Sequence, residues 1–328
     1  MSDWVAWAQN LDALAGVYVR PPAARGMITD AELSLAETYT RYSYTGAGKI
    51  VELGCWLGAV TLALARGVAD NPQTRYKRPI EAIDKFRWEA WMTPIAERLG
   101  TPRVREGKSF LAETQAILAP YERFVRVREM DLLQPERFRD PIEFLFVDAM
   151  KSWPLANSIV RTYFPRLLGG GSLIVHQDFA YHGAVVATNH ILMWLLRDYA
   201  VPVYHAPGSS SVVFFVQRPF DRKQLPVLDP GAVTIEMAEA AWDYSDGFVR
   251  SEGKRDVWLC KVLFFVEQGW FDAAWGEAQR FVNTTGPVAE AALNDVHYVA
   301  AQSRAAIGSK TQRSKLDAIE ALLTGSGA

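Results

Sequence analysis

The sequence predicts an α/β protein: a mostly parallel sheet that ends in an antiparallel hairpin, followed by a helical region. Three observations lead there. Between residues 49 and 199, short apolar runs alternate with amphipathic stretches of helical length, the pattern of strands joined by crossover helices. The last two apolar runs, Val201–His205 and Ser211–Gln217, are separated only by Ala206-Pro207-Gly208-Ser209-Ser210. That gap is too short for a crossover and requires an antiparallel hairpin. Beyond Phe220 the strand pattern stops.

The elements follow in order. Residues 1–47 read as an N-terminal helical cap broken by Pro21-Pro22. Thr29-Asp30-Ala31-Glu32 is a capping box that starts a helix running to about Tyr42. Residues 48–220 form the main domain. Its expected strands are Lys49–Leu53, Pro79–Ile83, Phe124–Arg128, Glu143–Val147 and Ser172–His176, and then the hairpin. The run Glu143–Val147 is continuously apolar after its first residue, as a strand covered on both faces should be. Helices are expected over Ala59–Gly67, Trp88–Leu99, Ser109–Leu118, Leu155–Leu168 and Ala184–Tyr199. Residues 221–328 read as a proline-rich linker and a helical region. In it, KVLFFVEQGWFDAAWGEAQRFV resembles one helix-turn-helix unit of a tetratricopeptide repeat. That region is expected to act as a cap or as a homodimer contact.

Composition narrows the partners. The 328 residues are 49% hydrophobic and 22% charged, and 35 basic side chains meet 37 acidic ones. A net charge of −2 lacks the basic footprint of a nucleic-acid binder. No stretch is apolar for long enough to span a bilayer, and the N-terminus lacks a secretory pattern. The two cysteines, Cys55 and Cys260, have neither metal spacing nor a disulfide framework. A cytoplasmic protein acting on a small molecule is the expectation.

The chemistry concentrates where strands end. In Val51-Glu52-Leu53-Gly54-Cys55-Trp56-Leu57-Gly58 the first strand turns into the first helix. Glycines there let backbone approach a ligand closely. The bulky Cys-Trp-Leu between them fits poorly with the pyrophosphate of a dinucleotide, which wants G-x-G-x-x-G. Glu52 at the strand end suits a cationic ligand. Asp84 closes the second strand, where an acid can accept both hydroxyls of a ribose. Asp131 follows the third strand, where an adenine could be held.

With these residues the stretch from about Gly26 to Gln217 resembles a class I S-adenosylmethionine-dependent methyltransferase. The resemblance implies a Rossmann-like, seven-stranded sheet with its last strand antiparallel, and a cofactor site of Glu52, Gly54, Gly58, Asp84 and Asp131. Trp56 and Asp148 are further cofactor-site candidates. FVDAMKSW, followed by LLGGGSLIVHQDF, is similar to metal-assisted small-molecule O-methyltransferases of the catechol, caffeoyl-CoA and macrolide-sugar types. That likeness would make Asp148 and Asp178 ligands of Mg2+ and Lys151 the base. The family has a second acidic pair after the fifth strand, whereas this chain has His176-Gln177-Asp178. Without a metal, His176 or His182 is the better base, because histidine titrates near neutrality. Tyr39, Tyr42, Tyr44 and Tyr181 are candidates for the acceptor wall. Two other readings are a non-catalytic methyltransferase-like scaffold working through its C-terminal helices, and an NAD-linked oxidoreductase. The missing dinucleotide fingerprint and the terminal hairpin count against the second.

Overall fold

The computed structural model describes residues 2–101 and 103–326. The chain divides into two units. The first comprises residues 1–150, 154–177 and 197–226, and the second comprises 151–153, 178–196 and 227–328.

The first unit is built on a seven-stranded sheet. Its strands are β1 (Lys49–Leu53), β2 (Ile80–Asp84), β3 (Val125–Glu129), β4 (Ile142–Val147), β5 (Ser172–His176), β6 (Ala200–His205) and β7 (Val212–Val216), in the spatial order β3-β2-β1-β4-β5-β7-β6. Pairs β1–β2, β1–β4, β2–β3 and β4–β5 are parallel, while β7 runs antiparallel between β5 and β6. This is the Rossmann-like sheet with a closing hairpin expected from the sequence. Every residue of β1, β4 and β5 is buried, because helices cover both faces of a parallel sheet. The strand order reverses beside β1, so the gap between the carboxyl ends of β1 and β4 is the switch point where open α/β sheets bind ligands.

Helices α1 (Ser2–Ala15), α2 (Asp30–Thr38), α3 (Ala59–Ala69), α4 (Met92–Leu99), α5 (Leu111–Leu118) and α6 (Trp153–Tyr163) accompany the sheet. The capping box at α2 is present: Thr29 N donates to Glu32 Oε2 at 2.7 Å and Glu32 N donates to Thr29 Oγ1 at 3.3 Å. The helix ends in a wider turn over Tyr39–Ser43. The helix expected from Trp88 starts only at Met92. Residues 86–88 instead pair with 107–110: Trp88 N donates to Lys108 O, and Phe110 N to Phe86 O.

The second unit is helical. It contains α7 (Ala187–Leu195), α8 (Ile235–Asp246), α9 (Ser251–Glu267), α10 (Phe271–Thr285), α11 (Glu290–Ala306) and α12 (Lys310–Thr324). Helices α9 and α10 are the hairpin read from KVLFFVEQGWFDAAWGEAQRFV, and α11 with α12 forms a second hairpin. The second hairpin is hard to see as a repeat because its sequence carries little of the first. No helix among the described residues is long and apolar enough to cross a membrane.

Candidate functional site

The loop from β1 to α3 is shaped by backbone that ordinary side chains avoid. Gly54 has φ +88°, and a Cβ there would lie 2.5 Å from the Asp148 carbonyl oxygen. Gly58 has φ +78° and begins α3 with no side-chain cap. Between them Trp56 also has positive φ, at 42°, although it is not glycine. Left-handed backbone costs an L-residue roughly 1–2 kcal/mol, so something must hold it. Asp84 does so: its Oδ2 accepts from Trp56 N at 3.0 Å. Its Oδ1 accepts from Phe86 N at 2.8 Å, and Phe86 has φ 46°. Thr114 Oγ1 of α5 donates to the Trp56 carbonyl at 2.9 Å. The β2 acid therefore organises the β1–α3 loop, a role the sequence did not reveal.

Glu52 lies beneath this loop, 2% exposed, and accepts from Thr61 Oγ1 of α3 at 2.5 Å. Burial pushes its carboxyl up to about 8; Thr61 opposes this, and the charges of Asp148 and Asp84 add to it. Burial also raises Asp84, against the pull of the Phe86 and Trp56 backbone donors and of Lys85. Glu32, 1% exposed, accepts from Ser211 Oγ at 2.5 Å and is raised by burial, with Asp148 contributing. Four carboxyl groups, those of Glu32, Glu52, Asp84 and Asp148, thus bear on the switch point, and their mutual repulsion together with burial would be relieved by a cation beside them. Glu32 was legible only as a cap, because its partner Ser211 is remote in sequence. Thr61 gives no sign of its role in the sequence, although it stands three residues past Gly58. Asp131 is exposed, and its Oδ1 accepts from Leu133 N at 2.9 Å in a local turn.

His176, on β5 in the same unit, is fully buried with its ring against Phe214, and burial pushes it down to about 3. Tyr39 and Tyr44 are buried at the amino side of the sheet, where they hydrogen-bond Glu143 and the Gly48 carbonyl, and Tyr42 is exposed. None of the three lies at the strand ends that carry Gly54 and Asp84.

The second unit has its own polar cluster. Lys151 Nζ forms an ion pair with Asp178. His182 Nε2 lies 3.0 Å from Asp295 Oδ2, and its Nδ1 lies 3.8 Å from Asp256 Oδ1. Tyr181 Oη donates to Asp295 Oδ2 at 2.7 Å. Burial raises the Asp295 carboxyl, but its contacts with His182 and Tyr181 outweigh this and hold it below the ordinary range. The sequence pattern points to His182 but not to Asp295, because the two meet only through the fold of α11.

Magnesium does not fit these residues. Asp178 is engaged by Lys151. Among the described residues no group of three His, Cys, Asp or Glu side chains is placed to hold a metal ion.

No family model and no curated protein matches the chain. Comparison with solved structures finds a likeness to a coclaurine N-methyltransferase bound to N-methylheliamine and SAH. The TM-score is 0.27 and the identity 16%, over 55% of this chain and 53% of that one. The chain thus spans about half the length of that structure.

Proposed function

We propose that the protein binds S-adenosylmethionine at the carboxyl edge of β1 and β2 and methylates a small-molecule acceptor, in the first instance at a hydroxyl. One observation carries the reading. A buried carboxylate, Glu52, with Asp84 and Asp148 around it, lies under a loop whose glycines cannot bear side chains without strain or clash. The fit is to a cationic nucleoside: Gly54 and Gly58 let the loop fold against Asp148 and Leu118, Glu52 attracts the ligand's charge, and Asp84 fixes the loop while keeping lone pairs for a ribose. Asp131 and Trp56 stand beside this edge as adenine-side candidates.

The sulfonium supplies an electrophilic methyl carbon. The chain must orient the acceptor and take its proton. Of the three candidate bases, His182 is the one whose ring is held by a carboxylate of its own unit, Asp295. Lys151 is engaged in an ion pair with Asp178, and His176 is sealed in the core.

Titration calorimetry with S-adenosylmethionine, followed by a transfer assay against hydroxylated small molecules with and without EDTA, tests the proposal. Saturable binding, and turnover that survives chelation, are expected. His182→Gln should lower turnover by roughly 10²–10⁴-fold while binding persists. Absence of binding would refute the cofactor assignment. Binding without transfer to any acceptor would favour a scaffold.

A further inference from the structure

The first unit has a concavity at the opposite edge of the sheet from Gly54 and Asp84. It is a cavity of about 210 Å³ walled by Trp4 and Trp7 of α1, Tyr39, Leu173 and Phe215, with Glu143 among its lining residues. Glu143 stands at the start of β4, four residues before Val147, whose neighbour across the sheet is Leu53. A parallel strand puts these two ends on opposite edges.

The walls are set by packing. The Trp4 ring centroid lies 5.3 Å from that of Trp7, edge to face, and 4.7 Å from that of Phe215. Trp7 also meets Tyr204 at 5.9 Å. Tyr39 is fixed by stacking on Phe144 at 4.5 Å. Glu143 is 2% exposed. Its Oε1 accepts from Thr45 N at 2.6 Å and from Tyr39 Oη at 3.5 Å. Its Oε2 accepts from Ala47 N at 2.7 Å and Gly48 N at 3.2 Å. Every one of these donors is neutral, so they orient the carboxylate without cancelling its charge. Among the described residues no ion pair to Glu143 is formed.

We propose that this cavity is a binding site for a small organic cation, an alkylammonium group on a compact apolar body. Aromatic faces carry negative quadrupole potential and attract such a group within about 6 Å. A buried carboxylate strengthens the attraction, because the surrounding dielectric is low. Both features would penalise an anion, and the rings would leave a hydrated metal ion without ligands. The volume is below the roughly 300–1,000 Å³ of drug-sized pockets, so the ligand is small.

Calorimetric titration of the full chain with choline, against its neutral isostere 3,3-dimethylbutan-1-ol, tests the site at constant ionic strength. Saturable choline binding is expected, with the isostere about tenfold weaker or worse, as a desolvated cation–π contact requires. Glu143→Gln should erase the preference for the cation. Because Glu143 also anchors residues 45–48, Trp4→Ala decides the matter if that variant fails to fold. It should weaken choline about fivefold or more. Saturating S-adenosylhomocysteine should leave the choline isotherm unchanged, whether or not the cofactor assignment holds. No saturable choline binding, equal binding of the isostere, an unaltered isotherm in Trp4→Ala, or displacement by the nucleoside would each overturn the proposal.

Discussion

Trp56 and Phe86 are the two non-glycine residues with positive φ among those described, and one carboxylate holds both of their backbone N–H groups. Asp84 therefore stabilises strained backbone in addition to its proposed role toward the ligand. Asp84→Ala should destabilise the fold by about 1–3 kcal/mol, the cost of leaving its partners unsatisfied. Nucleoside binding should weaken with it, because the loop is released. Asp84→Asn keeps one acceptor oxygen and should fall between. Urea unfolding of the three proteins, with binding measured in parallel, checks this. A stable Asp84→Ala variant with a normal loop would leave Asp84 only a ligand contact. Glu52 makes a different demand. Burial holds its carboxyl near 8, so at neutral pH the free protein keeps it mostly protonated. A cation beside it lowers that value, and binding must release up to one proton. Affinity for S-adenosylmethionine should therefore rise between pH 6 and 8, by at most about tenfold per unit, and flatten above. Calorimetry in buffers of different ionisation enthalpy reads the proton directly. Glu52→Gln should remove both the release and the slope; a slope that persists in this variant would place the cation elsewhere.

The β1–α3 turn is the element on which the proposed site depends, and it shows what sequence can and cannot disclose. Gly54 and Gly58 were legible because two glycines between an apolar run and a helical stretch mark a strand-to-helix turn that brings backbone close to a ligand. Trp56 looks like a bulky interruption, yet its backbone takes the left-handed form that glycine would take, and this depends on a carboxylate on another strand. The strands were legible because β1, β4 and β5 are buried along their whole length, which leaves short runs that are mostly apolar. The start of α4 was not. Phe86 and Trp88 look like an amphipathic helix but serve in a short pairing with residues 107–110, and tertiary pairing of this kind leaves no local period. For the same reason Glu32 with Ser211, and His182 with Asp295, could not be matched in advance. Gly58 supplies this element's own test. A Cβ at Gly58 would meet Leu118 at 3.2 Å, and its φ of +78° is one that β-branched residues avoid. Gly58→Val should destabilise the protein by more than the roughly 1–2 kcal/mol of the left-handed backbone alone, and nucleoside binding should be lost. Gly58→Ala should meet the backbone cost with less crowding and keep measurable binding. Circular dichroism with titration separates the two effects. Full binding by a folded Gly58→Val variant would reduce the loop to a simple turn.

Across the whole molecule, two buried groups of the first unit pull stability in opposite directions as pH changes. His176 is neutral in the core and pushed down to about 3, against an ordinary value of 6.5. Below 6.5 the unfolded chain takes up a proton that the native state refuses, so this contribution is lost as pH falls from 6.5 toward 3. Glu52 is the reverse. Its native value of about 8 exceeds the ordinary 4.5, so the native state keeps a proton that the unfolded chain sheds. Its contribution is complete below 4.5 and is lost as pH rises to 8. Between 4.5 and 6.5 the two slopes offset one another. Between 3 and 4.5 only that of His176 remains, and between 6.5 and 8 only that of Glu52. Each amounts to about 1.4 kcal/mol per pH unit for one proton. Unfolding free energies measured in urea from pH 3 to 9, without nucleoside, should show a maximum at mildly acidic pH. Glu52→Gln should flatten the alkaline decline, and His176→Leu, which keeps the volume roughly, should flatten part of the acid limb. Saturating S-adenosylmethionine should flatten the alkaline decline in the wild-type protein as well, because a cation beside Glu52 lets it ionise in the native state. An alkaline slope that stays the same in Glu52→Gln would move the titrating group to another site. A slope removed by the substitution but unaffected by the nucleoside would separate the buried acid from the proposed ligand.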